Sequence, residues 1–496
     1  MSQPPVLLRQ SELFQLPASI QTPAYDRTLL RNAIVHIGVG GFNRSHLAVY
    51  LDDLLRDANC GQWGECGVGL LPNDKVIHTV LKSQDCLYSL LLRDADDLTL
   101  RVIGSLTDHL FAPADPEGVI ARMASPECAI VSLTVTEGGY FIDSGSKRFQ
   151  GDHPDLQHDL ASPSTPKTFL GFLAAATERR RQNGTPFTVM SCDNLQGNGH
   201  AAQTALLAFA EMKSPALRRW IEANVTFPNS MVDRITPATT SADRTFITQH
   251  FGIEDGSPVV CEPFRQWVLE DNFAAGRPAW EHVGAQLTSD VTPFERVKMR
   301  LLNGGHSTLA YISALLGIQY VSDAVADPDV LALLQRFLDE VSPLLPELPG
   351  MELESYKKSI IKRFANPTLR DQISRICSEG SAKLSKFIIP SAEELRAEGH
   401  PSVIIPLMVA SWLFSMRGID QDGRSFPVVD ASSDNFRAFA ETGFRDARVA
   451  ANVRSVFASM GQDEDFVQKV QTHLSAFHAN DARTVLRNAL ARNSKF

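Results

Sequence analysis

A short strand that runs straight into a glycine turn and then a helix leaves few folds open to this chain. Ala33-Ile34-Val35-His36-Ile37 is a mainly apolar, β-branched run. Gly38-Val39-Gly40-Gly41-Phe42 follows at once, and Asn43 to Leu55 reads as a helix with apolar residues at Leu47, Tyr50, Leu51, Leu54 and Leu55. That order is the context of a dinucleotide-binding turn: glycines let the backbone reach a pyrophosphate, which the helix N-terminus then stabilises. Gly38, Gly40, Gly41 and Phe42 are the candidate cofactor contacts, with Arg44 a candidate partner of the pyrophosphate. The third glycine of the usual fingerprint is missing, because Asn43 stands in its place. A GxG pair alone also fits an ordinary βα turn.

The 496 residues suffice for two large domains, and 44% hydrophobic residues can fill their cores. Cys66 to Leu71, Val102 to Leu106, Ala129 to Val135 and Phe187 to Cys192 read as further strands, with helical patterns such as Thr168 to Gln182 between them. Such alternation predicts a doubly wound, Rossmann-type α/β domain over residues 1–288. Its length predicts extra strands around Phe227 to Ile235 and Val259 to Trp267. Beyond about Pro293 strand signals fade and helical patterns dominate, for example Val330 to Leu345 and Glu464 to Ala479. A mostly α-helical substrate domain is therefore expected over residues 289–496.

The net charge of −10 argues against a nucleic-acid partner, and Arg179-Arg180-Arg181 reads as a helix end rather than a basic patch. The longest apolar run, Val403 to Met416, is too short to span a bilayer and reads as a buried helix. Seven cysteines (60, 66, 86, 128, 192, 261 and 377) are scattered without a CxxC pair. Reduced thiols, a cytoplasmic location and no metal framework are expected. The N-terminal Met1-Ser2-Gln3-Pro4-Pro5 does not read as a signal peptide.

The segment Glu295 to Ser307 carries the chemistry. Read as an α-helix at 100° per residue, Asn303 falls about 140° from Lys298, His306 about 80° and Glu295 about 60°. A proton acceptor, an amide donor, an imidazole and a carboxylate then face one cleft. Gly304 and Gly305 weaken such a helix, and a close approach by a ligand or another backbone would explain them. Taken alone, the pattern fits equally well a polar helix face with solvated charges.

These features together resemble the mannitol dehydrogenase family, the polyol-specific long-chain dehydrogenases. The resemblance spans nearly the whole chain. Besides the glycine turn and the lysine segment it rests on five further motifs: Ser132-Leu133-Thr134-Val135-Thr136-Glu137-Gly138-Gly139-Tyr140, Ser191-Cys192-Asp193-Asn194, Met231-Val232-Asp233-Arg234-Ile235, Glu262-Pro263-Phe264-Arg265-Gln266-Trp267 and Asp371-Gln372-Ile373-Ser374-Arg375. It implies a zinc-independent oxidoreductase that interconverts a polyol and a ketose by hydride transfer with a nicotinamide cofactor. By the resemblance Lys298 is the general base, Asn194 and Asn303 form an oxyanion hole, and His306 bonds the substrate oxygen or holds Lys298. Glu295 lines a proton exit route, while Asp233 bonds a substrate hydroxyl or tunes the lysine. Arg375 and Lys383 contact distal hydroxyls, and Thr136 and Glu137 border the nicotinamide.

Many NAD-preferring relatives place an acid at the end of the second strand for the ribose diol. Here Leu70-Leu71-Pro72-Asn73-Asp74-Lys75 follows, so Asp74 favours NAD while Lys75 would meet the 2′-phosphate of NADP. D-mannitol and D-fructose are the expected substrate pair. D-arabinitol, D-sorbitol and the fructuronate or tagaturonate reductions are alternatives within the family, against the last of which Arg375 argues. A nucleotide-binding redox sensor without turnover is the alternative from another class. A monomer is expected, with a weak homodimer the other option.

Overall fold

The computed structural model describes all residues except 1–3, 58–60, 95–96, 144–147, 401, 431–446, 448–452 and 493–496. Met1–Gln3 and Cys60 therefore lie outside the described residues. Two compact units divide the chain, Met1–Thr292 and Pro293–Phe496.

A five-stranded parallel sheet organises the first unit. Its strands are β1 (Arg31–Ile37), β2 (Trp63–Gly69), β3 (Leu106–Phe111), β4 (Ile130–Leu133) and β5 (Thr188–Ser191), in the spatial order β3-β2-β1-β4-β5. Ile34, Val35 and Ile37 are fully buried, as strands covered on both faces require. The chain order reverses between β1 and β4, the switch point where sheets of this kind bind ligands. Register pairs Ile37 with Leu133 and Leu133 with Ser191, so the loops leaving β1, β4 and β5 rise from one edge.

The strand expected over Val102 to Leu106 is two strands: Leu98–Ile103 ends there and β3 begins at Leu106. Gly104 turns the chain between them, where a Cβ would lie 2.5 Å from Pro23. The helix expected from Asn43 to Leu55 is broken at His46, leaving Gly41–Ser45 and Leu47–Leu55. The His46 ring causes the break to be kept: its Nε2 donates to the Gln266 carbonyl (2.9 Å) and the ring packs against Phe42, Tyr50 and Trp267. Ser230–Asp233 and Gln266–Glu270 pair antiparallel and supply the expected extra strands, joined by Gln286–Thr288. Val259–Cys261 instead joins Tyr88–Arg93 and Leu98–Ile103.

Helix Phe169–Asn183 starts where Thr168 Oγ1 accepts from Gly171 N (3.1 Å) and stops at left-handed Gly184. Near its end Arg180 is buried and donates to the carbonyls of Thr185, Pro186 and Cys128, so the arginine run fastens loops.

In the second unit, Gly304–Leu315 packs against Pro328–Val341 and Ile404–Ser415. Every residue of Ile404–Ser415 is buried, and no helix among the described residues is long and apolar enough to cross a membrane. The six described cysteines are free thiols.

Burial pushes His46 down to about 3. The unfolded chain takes up a proton there near pH 6.5, whereas the folded chain does not. The stabilisation is thus present above the unfolded value and is lost as pH falls, roughly 2 kcal/mol by pH 5. In urea melts the wild type should lose about 2 kcal/mol more between pH 7 and pH 5 than His46→Gln does. Equal losses in the two proteins would refute the neutral buried ring.

Candidate active site

The glycine turn is fixed by crowding on one side and openness on the other. Gly38 has φ +96°, and a Cβ on it would lie 2.1 Å from the Thr134 carbonyl oxygen. Gly40 is exposed, and a Cβ there would meet nothing nearer than the Gly38 oxygen at 3.9 Å. The turn therefore presents bare backbone, which fits the close approach of a pyrophosphate.

Beneath it, Thr134 Oγ1 donates to the Gly38 oxygen (2.6 Å). It accepts in turn from His36 Nε2 (2.9 Å), and His36 Nδ1 accepts from Ser132 Oγ (2.8 Å). This pattern assigns the Nε2–H tautomer. Burial pushes His36 down to about 3, so the ring is a neutral spacer between β1 and β4.

Arg44 is buried. Its Nε donates to the Gly40 oxygen (3.2 Å) and its Nη1 to Ser257, so its guanidinium ties the turn to the Ser257 loop. Asp74 closes the turn after β2: its Oδ2 accepts from Leu71 N (2.8 Å), and its Cβ lies 2.6 Å from where a Gly69 side chain would begin. Lys75 beside it is exposed. Asp233 is 3% exposed, and just beyond it Thr236 Oγ1 lies 2.7 Å from Ser45 Oγ, while a Cβ on Gly41 would lie 3.6 Å from the Thr236 methyl. Arg234 bonds the carbonyls of Glu262 (2.9 Å) and Ser45 (2.6 Å).

After β4, Thr136 stands at φ +63°, ψ 165°, a region rarely adopted except by glycine and costing on the order of 1–3 kcal/mol. Glu137 opens the short helix that follows. Asn194 is exposed just past β5. Asp193, which the sequence reading left without a role, is buried between these loops.

In the second unit the lysine segment is not a plain α-helix. Thr292–Val297 is α-helical, Lys298–Asn303 is a π-helical turn, and the α-helix resumes at Gly304. An i→i+5 ladder stacks residue i+5 over residue i, as the α-helix stacks i+4 over i. The 140° expected between Lys298 and Asn303 therefore shrinks, while the Asn303 amide nitrogen itself donates to Met299 Sδ (3.1 Å). Lys298 is 4% exposed and Glu295 3%. Arg296 and Arg300 both pair with Glu394 on Ile389–Ala397. At Gly304 and Gly305 neighbouring side chains take the space that a side chain would need: a Cβ at Gly304 would lie 2.9 Å from the Phe337 ring, and one at Gly305 3.1 Å from Leu334. Their absence of side chains lets Pro328–Val341 pack closely.

The His306 ring stacks on Phe364 (centroids 3.9 Å apart, 16° between planes), and its buried Nε2 has no hydrogen-bond partner among the described residues. Burial first, then Arg375, Arg363, Lys383 and Lys298, holds this imidazole well below its ordinary range. Arg363 and Phe364 were not singled out from sequence, because nothing local links them to His306. Arg375 makes a bidentate pair with buried Asp371 (2.7 and 2.6 Å), a partner whose i,i+4 spacing was legible. Lys383 donates to the Ile376 carbonyl (2.7 Å), and burial lowers it to about 8. Among the described residues no group of three or more His, Cys, Asp or Glu is placed to hold a metal ion.

Fold and side chains together define an α/β oxidoreductase of the dinucleotide-binding class. Residues 32–282 match the mannitol dehydrogenase Rossmann domain and residues 290–478 the mannitol dehydrogenase C-terminal domain. The chain belongs to the mannitol dehydrogenase family. It is 43% identical over 488 residues to a mannitol 2-dehydrogenase of Aspergillus fumigatus, covering 95% of this chain and 96% of that relative. Pseudomonas fluorescens mannitol 2-dehydrogenase, solved as a ternary complex with NAD and D-mannitol, superposes with a TM-score of 0.92 at 42% identity, covering 98% of this chain and 99% of that one. A substrate-free D-sorbitol dehydrogenase gives 0.86 at 37% identity, over 97% and 100% of the two chains.

Because its pKa is depressed, His306 stays neutral as pH falls through the usual imidazole range. Its ring nitrogens, followed by NMR in selectively labelled protein, should keep constant shifts from about pH 8 to about pH 5.5. A titration centred near pH 6.5 would show the ring to be solvated instead.

Proposed function

We propose that this chain oxidises D-mannitol to D-fructose with NAD+ as hydride acceptor, and reduces D-fructose to D-mannitol with NADH as hydride donor. The observation that carries the reading is the π-helical turn, which sets buried Lys298, Asn303 and the unpartnered Nε2 of His306 on successive turns of one helix. The relative from Pseudomonas fluorescens, similar over nearly its full length, holds NAD and D-mannitol in its complex. When bound, the nicotinamide supplies the site for the hydride. Gly38, Gly40, Gly41 and Phe42 would line the pyrophosphate, Arg44 would hold the turn, Asp74 would take the ribose diol, and Thr136 and Glu137 would border the reactive ring.

The remaining chemistry belongs to the side chains. Lys298 takes the hydroxyl proton as the alcohol is oxidised and returns it in the reverse direction. Asn303 donates to the developing alkoxide, and the family resemblance assigns Asn194 the same task. His306, being neutral, accepts or donates a hydrogen bond without gaining charge. Glu295 would pass the proton to solvent. Asp233, Arg375 and Lys383 would read the other hydroxyls of a linear polyol. The six described free thiols, five of them buried, fit a reducing, cytoplasmic setting, and we assign a monomer as the working unit.

A D-sorbitol reading has one observation in its favour, the likeness to D-sorbitol dehydrogenase. A sensor without turnover has no use for a buried lysine beside an amide and an imidazole.

Initial rates at the reduced-nicotinamide band separate these readings. Mannitol with NAD and fructose with NADH should exceed sorbitol, arabinitol, xylulose and the uronates, and should exceed the NADP(H) rates. A maximum with sorbitol would shift the substrate and keep the mechanism. Lys298→Ala should bind NADH normally and lose turnover by about three orders of magnitude or more, in keeping with loss of a positioned base. Retained turnover would remove the lysine from that role. EDTA should leave the wild-type rate unchanged, and inhibition reversed by zinc would overturn the lysine-based mechanism.

A further inference from the structure

Three donors from the loop after β4 converge on one carboxylate in the loop after β5. Asp193, 8% exposed, accepts from Thr136 N at Oδ1 (2.9 Å) and from Val135 N at Oδ2 (3.1 Å). Its Oδ2 also accepts from the Tyr140 hydroxyl (2.7 Å), which lies 2.6 Å from Ser191 Oγ at the end of β5. The Asp193 backbone is held as well: its carbonyl accepts from Asn198 Nδ2 (3.0 Å) and Leu195 N (2.8 Å). One residue further on is Asn194.

The Thr136 φ is enclosed by this clamp, because Asp193 holds the Thr136 amide on one side of the N–Cα bond and the Tyr140 hydroxyl on the other. Thr136 stands there at φ +63°, although it is not glycine. Val135 follows Thr134, whose hydroxyl already holds the Gly38 oxygen. The contacts thus run without a gap from the glycine turn on β1, through the loop after β4, to the residue before Asn194.

We propose that Asp193 is a positioning residue that clamps the loops after β4 and β5, holding Thr136 in its strained conformation at the nicotinamide end of the cofactor site and aiming the adjacent Asn194. The proposal rests on the cofactor reading above. A buried aspartate that merely stabilised the fold would have no reason to hold a non-glycine residue in a glycine conformation. Asparagine cannot replace it: its amide offers one acceptor oxygen, and its NH2 group would face a backbone N–H.

Hydrogen exchange on the cofactor-free protein and fluorescence titration with NADH test this on Asp193→Asn, Thr136→Gly and the double variant. In Asp193→Asn the amides of Val135 and Thr136 should exchange about tenfold faster or more, with the sheet strands unchanged. NADH should bind about tenfold more weakly to the same variant. Glycine adopts the Thr136 conformation without a clamp. In the Thr136→Gly background, Asp193→Asn should therefore weaken NADH binding by less than about threefold. A purely structural role would give equal losses in both backgrounds, and that result would overturn the proposal. So would unchanged exchange and unchanged affinity in Asp193→Asn. If Asp193→Asn cannot be recovered folded, Tyr140→Phe removes one donor from the same carboxylate. It should then show the same pattern at about threefold, and no change would count against the clamp. A wild type that fails to bind NADH refutes the cofactor reading instead, and the exchange measurement still decides the clamp.

Discussion

The cofactor half of this protein depends on one steric fact: the Thr134 carbonyl oxygen occupies the space that any side chain at residue 38 would need. Backbone therefore meets backbone where β1 and β4 end, at the switch point of the sheet. That contact lets Thr134 reach the Gly38 oxygen with its hydroxyl and lets His36 bridge Ser132 and Thr134 below. A hydrogen-bonded ring in so tight a space favours a neutral imidazole, and burial, which lowers His36 to about 3, keeps it neutral at physiological pH. The missing third glycine is then understandable. Asn43 is buried and donates to Glu65 (2.9 Å) on β2, so helix and sheet are joined there by a polar bond rather than by a bare backbone.

The helical unit follows a different logic. Around His306 lie Arg375, Arg363, Lys383 and Lys298, an assembly of like charges that would repel any further proton. The imidazole is restricted to hydrogen bonding, which leaves proton transfer to a different group. Arg375 is compensated by Asp371, and Lys383 is drawn toward neutrality by burial. The site thus offers many N–H donors while limiting the net positive charge they bring.

Much of this was legible in the residues because the signals were local. The β1 strand, the glycine turn and the Lys298, Asn303 and His306 spacing are all contained in short segments. Glu464 to Ala479 was readable to the residue because Asp463 caps it and the apolar positions repeat regularly. What escaped depended on distant partners. The helix break at His46 is set by the Gln266 carbonyl, far along the chain. The strands Leu98–Ile103 and Leu106–Phe111 merged into one apolar run, since only packing of Gly104 against Pro23 reveals the corner. Asp193 stood in a quoted motif without a role, because its three donors belong to a loop on another strand. Arg363 had no signal at all.

The lysine segment departs from the regular helix that its spacing predicts. On α-helical arithmetic Lys298 and Asn303 stand about 140° apart. The π-helical turn narrows that angle, because the helix is irregular there. Such turns have poorer hydrogen bonding and need support from outside the helix. Here the pairing of Arg296 and Arg300 with Glu394 holds one side. Phe337 and Leu334, seated against Gly304 and Gly305, hold the segment just beyond it. The two glycines that looked like a ligand's approach are therefore part of the scaffold, and their contribution to chemistry is indirect. They allow the neighbouring helix close enough to support the wide turn, and the wide turn narrows the angle between residues 298 and 303.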